Sequence, residues 1–275
     1  MAFAPINSDL SYWHKQTQPL FDNLIWNIPE QKTGHVAIVG GNSQNFSSVI
    51  RVSEFINQSF PIKTLTTVLP DALRGKLPPL PNLDFLPSTT SGSFAKSASL
   101  ELACSKPDAT LIIGDLSKNS ATVIALAAAI SPREDSIVET PNLLVLARDS
   151  VDLLAPEAHR WLNRPNTIII ASMAQLQKLF QAVYYPRMIL LSQPLIPTIE
   201  TLHKFALTYP ATILTFHQEN IIVANNGKVS TTRLADTDYS PISLWSGQLA
   251  ARVTALALYN PGQTFAAATA SILIH

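Results

Sequence analysis

Short, nearly unbroken apolar runs occur at residues 35–39, 62–69, 109–113, 142–146 and 167–170. Runs of this length without polar alternation suit strands covered on both faces, the situation of a parallel sheet sandwiched between helices. Between them, helical spacing of apolar positions predicts helices at about 47–58, 94–105, 120–130, 173–183 and 198–209. Strand and helix alternate as in a doubly wound sheet. Right-handed crossovers then gather the loops that follow the strands along one sheet edge, where a ligand binds in such folds.

The pattern changes toward the C-terminus. Residues 211–215, 220–224 and 228–232 read as strands, with Asn225-Asn226-Gly227 as a tight hairpin turn, and helices are predicted over 243–259 and 263–275. The stretch 75–93, rich in proline, serine and threonine and lacking a helical period, reads as one long loop. Residues 1–33 carry scattered aromatics without a clear period and read as an extended arm with a short helix, packed on the domain or a neighbouring subunit. No linker or internal repeat divides residues 34–275, which read as one α/β domain.

Charged residues are only 14% of the chain and hydrophobic residues 47%, against a usual charged share of about 25%. Much of the chain is therefore expected in the core or at a partner surface, and a homo-oligomer is expected. Lysine plus arginine and aspartate plus glutamate balance at 19 each, which lacks the basic field of a nucleic-acid or acidic-membrane binder. A small-molecule ligand of nucleotide or nucleoside type fits better. The single cysteine, Cys104, has no partner for an internal disulfide, and the first residues lack a signal-peptide pattern. The longest apolar run, at 121–130, is about ten residues and too short for a bilayer. A cytoplasmic protein is the expectation.

Four loops at predicted strand or helix ends carry candidate chemistry. The first strand ends in Gly40-Gly41-Asn42-Ser43-Gln44-Asn45 and leads into a helix, so backbone amides there can approach an anionic or polar group. It is neither the dinucleotide fingerprint nor a P-loop, and the plain alternative is a strand-to-helix turn. Gly114-Asp115-Leu116-Ser117-Lys118-Asn119-Ser120 places Asp115 and Lys118 at a strand end, with Asn119 or Ser120 as an N-cap; the alternative is a cap with solvated charges. Arg148-Asp149 follows another strand, where Asp149 reads as a cap or a base. Trp245-Ser246-Gly247-Gln248 opens a helix whose amides suit an anion, although Gln248 cannot act as a general base. Ser91-Gly92-Ser93 is a candidate lid. The six histidines are dispersed without a His-x-x-x-His pair, and no Gly-x-Ser-x-Gly elbow occurs, so neither a zinc site nor that hydrolase type is expected.

The order of these loops resembles the ribokinase-like superfamily and, within it, the ADP- or ATP-dependent NAD(P)H-hydrate dehydratases, over about residues 34–275. Gly34-His-Val-Ala-Ile-Val-Gly-Gly41 is similar to the family's first strand and Gly-Gly loop. Leu111-Ile-Ile-Gly114 is similar to the strand entering its Gly-Pro-Gly-Leu-Gly loop, and Leu144-Val-Leu-Ala-Arg-Asp149 to its Val-Leu-Asp-Ala-Asp-Ala-Leu strand. Residues 168–175 are similar in position to the Thr-Pro-His-Pro-Gly-Glu segment, Leu214-Thr-Phe216 to Leu-Lys-Gly, and Trp245-Ser-Gly-Gln248 to the Gly-Thr-Gly-Asp anion hole.

The resemblance implies a three-layer α/β/α fold with a mostly parallel central sheet and C-terminal antiparallel strands. It implies ATP or ADP with Mg2+ as the nucleotide, held by Gly114, Lys118, Asn119, Thr215, Ser246, Gly247 and Gln248, and a substrate side of Gly40, Gly41, Asn42, Ser43, Asn45 and Ser172. The departures fall on the chemistry. Gln248 stands at the motif aspartate, Ser172 at the histidine, Gln175 at the glutamate and Thr215 at the lysine; Asp115 replaces a proline and Ala147 an aspartate. Losing a positioned acid or base typically removes about 10² to 10⁴ in rate. Three functions follow: a noncatalytic nucleotide or nucleoside binder; a dehydratase or small-molecule kinase in which Asp115, Asp149 or Lys118 substitute for the missing groups; or an assembly protein whose old pocket is filled by Phe216 and Trp245.

Overall fold

The computed structural model describes residues 28–77, 82–131, 142–237, 239–240 and 245–273, together with the backbone of 11–14. Ten strands form one sheet: β1 (Ser11–His14), β2 (Thr33–Gly40), β3 (Ile62–Pro70), β4 (Leu83–Leu86), β5 (Ala109–Gly114), β6 (Leu143–Ala147), β7 (Thr167–Ile170), β8 (Thr212–His217), β9 (Asn220–Asn225) and β10 (Lys228–Arg233). Their order is β1-β10-β9-β8-β7-β6-β5-β2-β3-β4. Only β9 runs against the others, pairing antiparallel with both β8 and β10. The expected mostly parallel sheet with antiparallel C-terminal strands is what forms.

The apolar runs are continuous because their strands are covered twice. Every residue of β5, β6 and β7 is buried. Alternate side chains feed two cores: Ile112, Leu144, Leu146 and Ile169 point to one face, and Leu111, Ile113, Val145 and Ile168 to the other. The first core is covered by α2 (Ala98–Ser105), α3 (Ser120–Ile130), α4 (Asp149–Leu154), α5 (Ala158–Trp161), α6 (Met173–Ala182) and α7 (Leu195–Thr208). The second is covered by α1 (Ser47–Ser59), α8 (Gln248–Tyr259) and α9 (Thr264–Leu273). Three layers result.

Several boundaries differ from the sequence reading. The stretch 75–93 is not one irregular loop: β4 lies within it as a parallel edge strand on β3, with Thr67 to Pro70 in register with Leu83 to Leu86. Four residues give too short a pattern to read, and only an edge strand tolerates the prolines around it. The helix placed at 94–105 begins at Ala98, because Ser97 accepts the Leu100 amide as N-cap, while Phe94 forms an isolated bridge with Ser88. The final long helix starts at Gln248; the expected start at residue 243 lies outside the described residues. The Asn225-Asn226-Gly227 hairpin forms, with φ of 42° at Asn226 and 76° at Gly227. The sequence shows no corresponding signal for the β8 to β9 turn, where Gln218 and Glu219 adopt φ of 46° and 61°; neither residue type favours that conformation. Residues 11–14 join the sheet as an edge strand on β10, and the short helix expected in the arm falls outside the described residues. Among the described residues no helix is long and apolar enough to cross a membrane.

Burial has a chemical consequence at Cys104. It is 4% exposed, and burial pushes its thiol up to about 12 against an ordinary 9.0, with Arg164 opposing. At pH 8 only about one thiol in 10⁴ is then the reactive thiolate. Ellman's reagent is expected to leave the folded protein unlabelled for an hour and to label one thiol promptly in denaturant; fast labelling of the native protein would contradict this burial.

Candidate functional site

The sheet order reverses direction between β2 and β5. From β2 the chain winds outward to β3 and β4, and from β5 it winds the other way through β6, β7 and β8. A crevice beyond the carboxyl ends of these two strands is where such sheets bind ligands. Glycine is needed at this edge. A Cβ on Gly40 would lie 2.5 Å from the Gly114 carbonyl oxygen, and Gly41, at φ +91°, donates its amide to that same oxygen at 2.9 Å. Asn42 Oδ1 accepts the amides of Gln44 and Asn45, shaping the turn, while its Nδ2 donates to the Asp115 carbonyl at 2.7 Å.

Asp115 joins the two loops. Its Oδ2 accepts the Ser48 amide at 3.0 Å, and its Oδ1 accepts from Asn45 Nδ2 at 3.1 Å and Arg148 Nη2 at 3.2 Å. The N-cap of α1, Phe46, has no capping side chain of its own, so a carboxylate from another strand satisfies the amide and the helix dipole. Asp149 acts one strand further on, accepting the amides of Asp115 at 3.0 Å and Leu116 at 3.3 Å. Asp149 is therefore neither a cap of its own helix nor an unengaged base.

Ser172 and Gln175 form a capping box at the start of α6: Ser172 Oγ accepts the Gln175 amide and Gln175 Oε1 accepts the Ser172 amide. The Gln175 amide nitrogen also donates to the Arg148 carbonyl and to Asp152 Oδ2, both at 2.7 Å. Asp152 Oδ1 meets Lys178 Nζ at 2.5 Å.

These groups border an open cleft of about 850 Å³ whose wall includes Arg51, Lys118, Arg148, Trp245 and Ser246. Of the residues picked from sequence, Asn45, Asp115, Lys118, Arg148, Asp149, Ser172, Gln175, Trp245 and Ser246 line it. Gly40, Gly41, Asn42 and Gly114 lie in the closed loops beside it, and the Ser43 amide donates to the Gly92 carbonyl. Asn119 caps α3 through the Thr122 amide and is also bonded to Ser91. Gly247, at φ +101°, brings the start of α8 against α1 and β5: a Cβ there would lie 2.6 Å from Val52 Cγ2 and 3.2 Å from Ile113 Cδ1. Gln248 is the exposed first residue of α8. Thr215 does not reach the cleft; it is 0% exposed within β8, and its hydroxyl has no hydrogen-bond partner among the described residues.

The candidate lid is tied down. Ser117 Oγ and Asn119 Nδ2 donate to Ser91, and Ser93 Oγ donates to the Gly41 carbonyl. This loop straps the β2 and β5 loops together and does not line the cleft.

Arg51, Asp152 and Lys178 line the cleft and carry no signal singled out in the sequence. Lys178 follows Ala174 by four positions on α6, and both line the cleft, so helical spacing from the start of that helix was a usable signal. Arg51 lies on α1 beyond the glycine loop, where nothing in the local sequence separates it from an ordinary solvated charge. Neither Arg51 nor Lys118 has an ion pair among the described residues, whereas Asp115, Asp149 and Asp152 are each held by the contacts above.

No family model matches the sequence, and no curated protein matches it. Solved structures do match its fold. A hypothetical protein of Streptococcus mutans aligns with a TM-score of 0.66 at 15% identity, covering 94% of this chain and 87% of that one. A ribokinase-like superfamily protein of Enterococcus faecalis gives 0.64 at 13%, covering 98% and 89%. The ADP/ATP-dependent NAD(P)H-hydrate dehydratase of Bacillus subtilis, crystallised with ATP and Mg2+ and soaked with CoA, gives 0.55 at 12%, covering 91% and 84%. The chain has the three-layer fold of the ribokinase-like superfamily.

Proposed function

We propose that this protein binds a nucleotide or nucleoside-like ligand in the cleft beside its switch point and has lost the usual chemistry of the scaffold. The carrying observation is the division of charge in the cleft wall. Its three carboxylates are committed to the protein's own amides and cations, while Arg51 and Lys118 line the cleft without an ion-pair partner among the described residues. Such a wall attracts an anion and offers no unengaged base to take a proton from an acceptor hydroxyl. The family position of the general base is an amide, Gln248, on the exposed start of α8.

A nucleotide phosphate fits beside Arg51 and Lys118 on the wall that also carries Trp245 and Ser246; the first amide of α8 is already used, Gln248 donating to Ser246 Oγ at 3.5 Å. Mg2+ fits poorly, because it requires oxygen ligands and the cleft carboxylates are already engaged; among the described residues no three His, Cys, Asp or Glu side chains are grouped to hold a metal ion. An assembly protein with a filled pocket fits less well, given the open cleft.

A thermal-shift panel of ATP, ADP, AMP, NAD and NADP, each with and without Mg2+, tests this reading. Ligand at 100 times its Kd adds about 2.7 kcal/mol, an upward Tm shift of about 5–10 °C for a chain of this size. The shift is expected to be independent of Mg2+ and unaccompanied by phosphate release. Silence across the panel rejects nucleotide binding, and turnover rejects the loss of catalysis.

A further inference from the structure

Both amide cradles at the switch point are filled by the chain itself. The Asp115 carboxylate occupies the Ser48 amide at the start of α1, and the Asp149 carboxylate occupies the amides of Asp115 and Leu116. A ligand's phosphate therefore cannot use the glycine loops as an unmodified scaffold would. The group placed just outside them is Arg148, whose side chain lines the cleft and is 25% exposed. Among the described residues its guanidinium makes a single hydrogen bond, from Nη2 to Asp115 Oδ1. Its remaining donors are available to the cleft.

The backbone shows that this arrangement is held against a local preference. Arg148 has φ +61° and ψ −139°, and Asp115 has φ +56°. Both lie where a Cβ is unfavourable, at the ends of adjacent strands, and such outliers persist at ligand clamps when the surroundings enforce them. The product of the two conformations is an ion pair with one member buried and the other turned to the cleft. The contacts of Asp115 to Ser48 and Asn45 and of the Arg148 carbonyl to Gln175 hold these backbones, whereas the partly exposed ion pair itself contributes little to stability, so stability does not account for a guanidinium turned to the cleft.

We propose that Arg148 is the principal phosphate-contacting residue of the cleft and that Asp115 is its positioning residue, so that the anion subsite lies outside the glycine loops. This rests on the cleft being the ligand site proposed above. A guanidinium fixed on one edge by a carboxylate presents its other edge as a planar fork, which suits two phosphate oxygens. The ligand class is a phosphate ester or nucleotide whose phosphate stops at Arg148, with Arg51 and Lys118 on the same wall.

Inorganic pyrophosphate, which has no base or sugar, isolates this subsite. Titration calorimetry at fixed ionic strength compares the unaltered protein with Arg148→Gly, Arg148→Lys and Asp115→Asn. Arg148→Gly is expected to weaken binding about tenfold or more; glycine suits that backbone, so the fold is expected to remain, as circular dichroism checks. If it does not fold, Arg148→Lys carries the comparison, with a smaller loss because charge is kept and the fork is lost. Asp115→Asn is expected to weaken binding as well, through a misplaced guanidinium. If the carboxylate merely repelled phosphate, the same variant would tighten binding, and that result overturns the positioning role. Equal affinity in the unaltered protein and both Arg148 variants overturns the proposal while leaving nucleotide binding intact. Failure of the unaltered protein to bind pyrophosphate overturns it even if nucleotides shift the melting temperature, and Arg148-dependent pyrophosphate binding without any nucleotide shift rejects only the nucleotide reading.

Discussion

Gly114→Ala is expected to destabilise the protein by about 3–6 kcal/mol and to abolish any ligand-induced thermal shift. Gly114 sits at φ +100°, and a Cβ built there lies 1.9 Å from Asp149 Oδ1 and 2.8 Å from its Cγ. Asp149 cannot simply withdraw, because the oxygen in the way accepts the Asp115 amide and its partner accepts the Leu116 amide. The substitution therefore combines a left-handed backbone cost with either a steric clash or two buried amides losing a charged acceptor. Gly262→Ala separates these contributions: Gly262 has φ +77° and nothing within 4 Å of its added Cβ, so it carries only the backbone cost, about 1–2 kcal/mol. Urea unfolding of the two variants is the measurement. Equal losses would show that the Asp149 contact yields freely, and the rigid loop description of the site would be wrong.

The contrast between these two glycines illustrates what the chain declares openly and what it conceals. Gly40, Gly41 and Gly114 follow apolar runs, so their place at strand ends could be read directly, as could the double-covered strands β5, β6 and β7. The antiparallel C-terminal strands were readable because Asn226 and Gly227 are residues that accept positive φ. Their neighbour turn was not, since Gln218 and Glu219 adopt that conformation without being typical of it. β4 was hidden by brevity and prolines. In the cleft, Asp115 and Lys118 stood out as charges after an apolar strand. What Asp115 does was invisible, because its partners Ser48 and Asn45 lie 67 and 70 positions away. Local pattern predicts that a polar loop exists; only the folded register shows that one loop's carboxylate satisfies another loop's amides. The same limit applies to Gln175. An amide at an acidic family position reads as lost chemistry in the sequence, whereas in the fold its side chain makes three hydrogen bonds that fix Ser172, Arg148 and Asp152.

Asp149→Ala is the sharper test of whether the cleft carboxylates are structural or chemical, and it is expected to cost about 2–5 kcal/mol, seen as a lower urea midpoint with the slope unchanged. Removing the carboxylate leaves the amides of Asp115 and Leu116 without their acceptor at a site where Asp115 is 4% exposed. The damage spreads to the Asp115 to Ser48 contact and hence to the start of α1. Asp149→Asn is expected to recover less than half of the loss, because one oxygen still accepts an amide while the new NH2 group faces the other as donor against donor. A catalytic base in an otherwise sound scaffold behaves differently: its asparagine variant loses turnover and keeps its stability. Loss of activity in an Asp149 variant is therefore no evidence of catalysis unless the variant melts like the unaltered protein. Full stability in Asp149→Ala would free this carboxylate from its structural role and restore the divergent-enzyme reading; a coupled fall in stability and ligand binding, with no turnover in any variant, is what a retained scaffold with committed carboxylates requires.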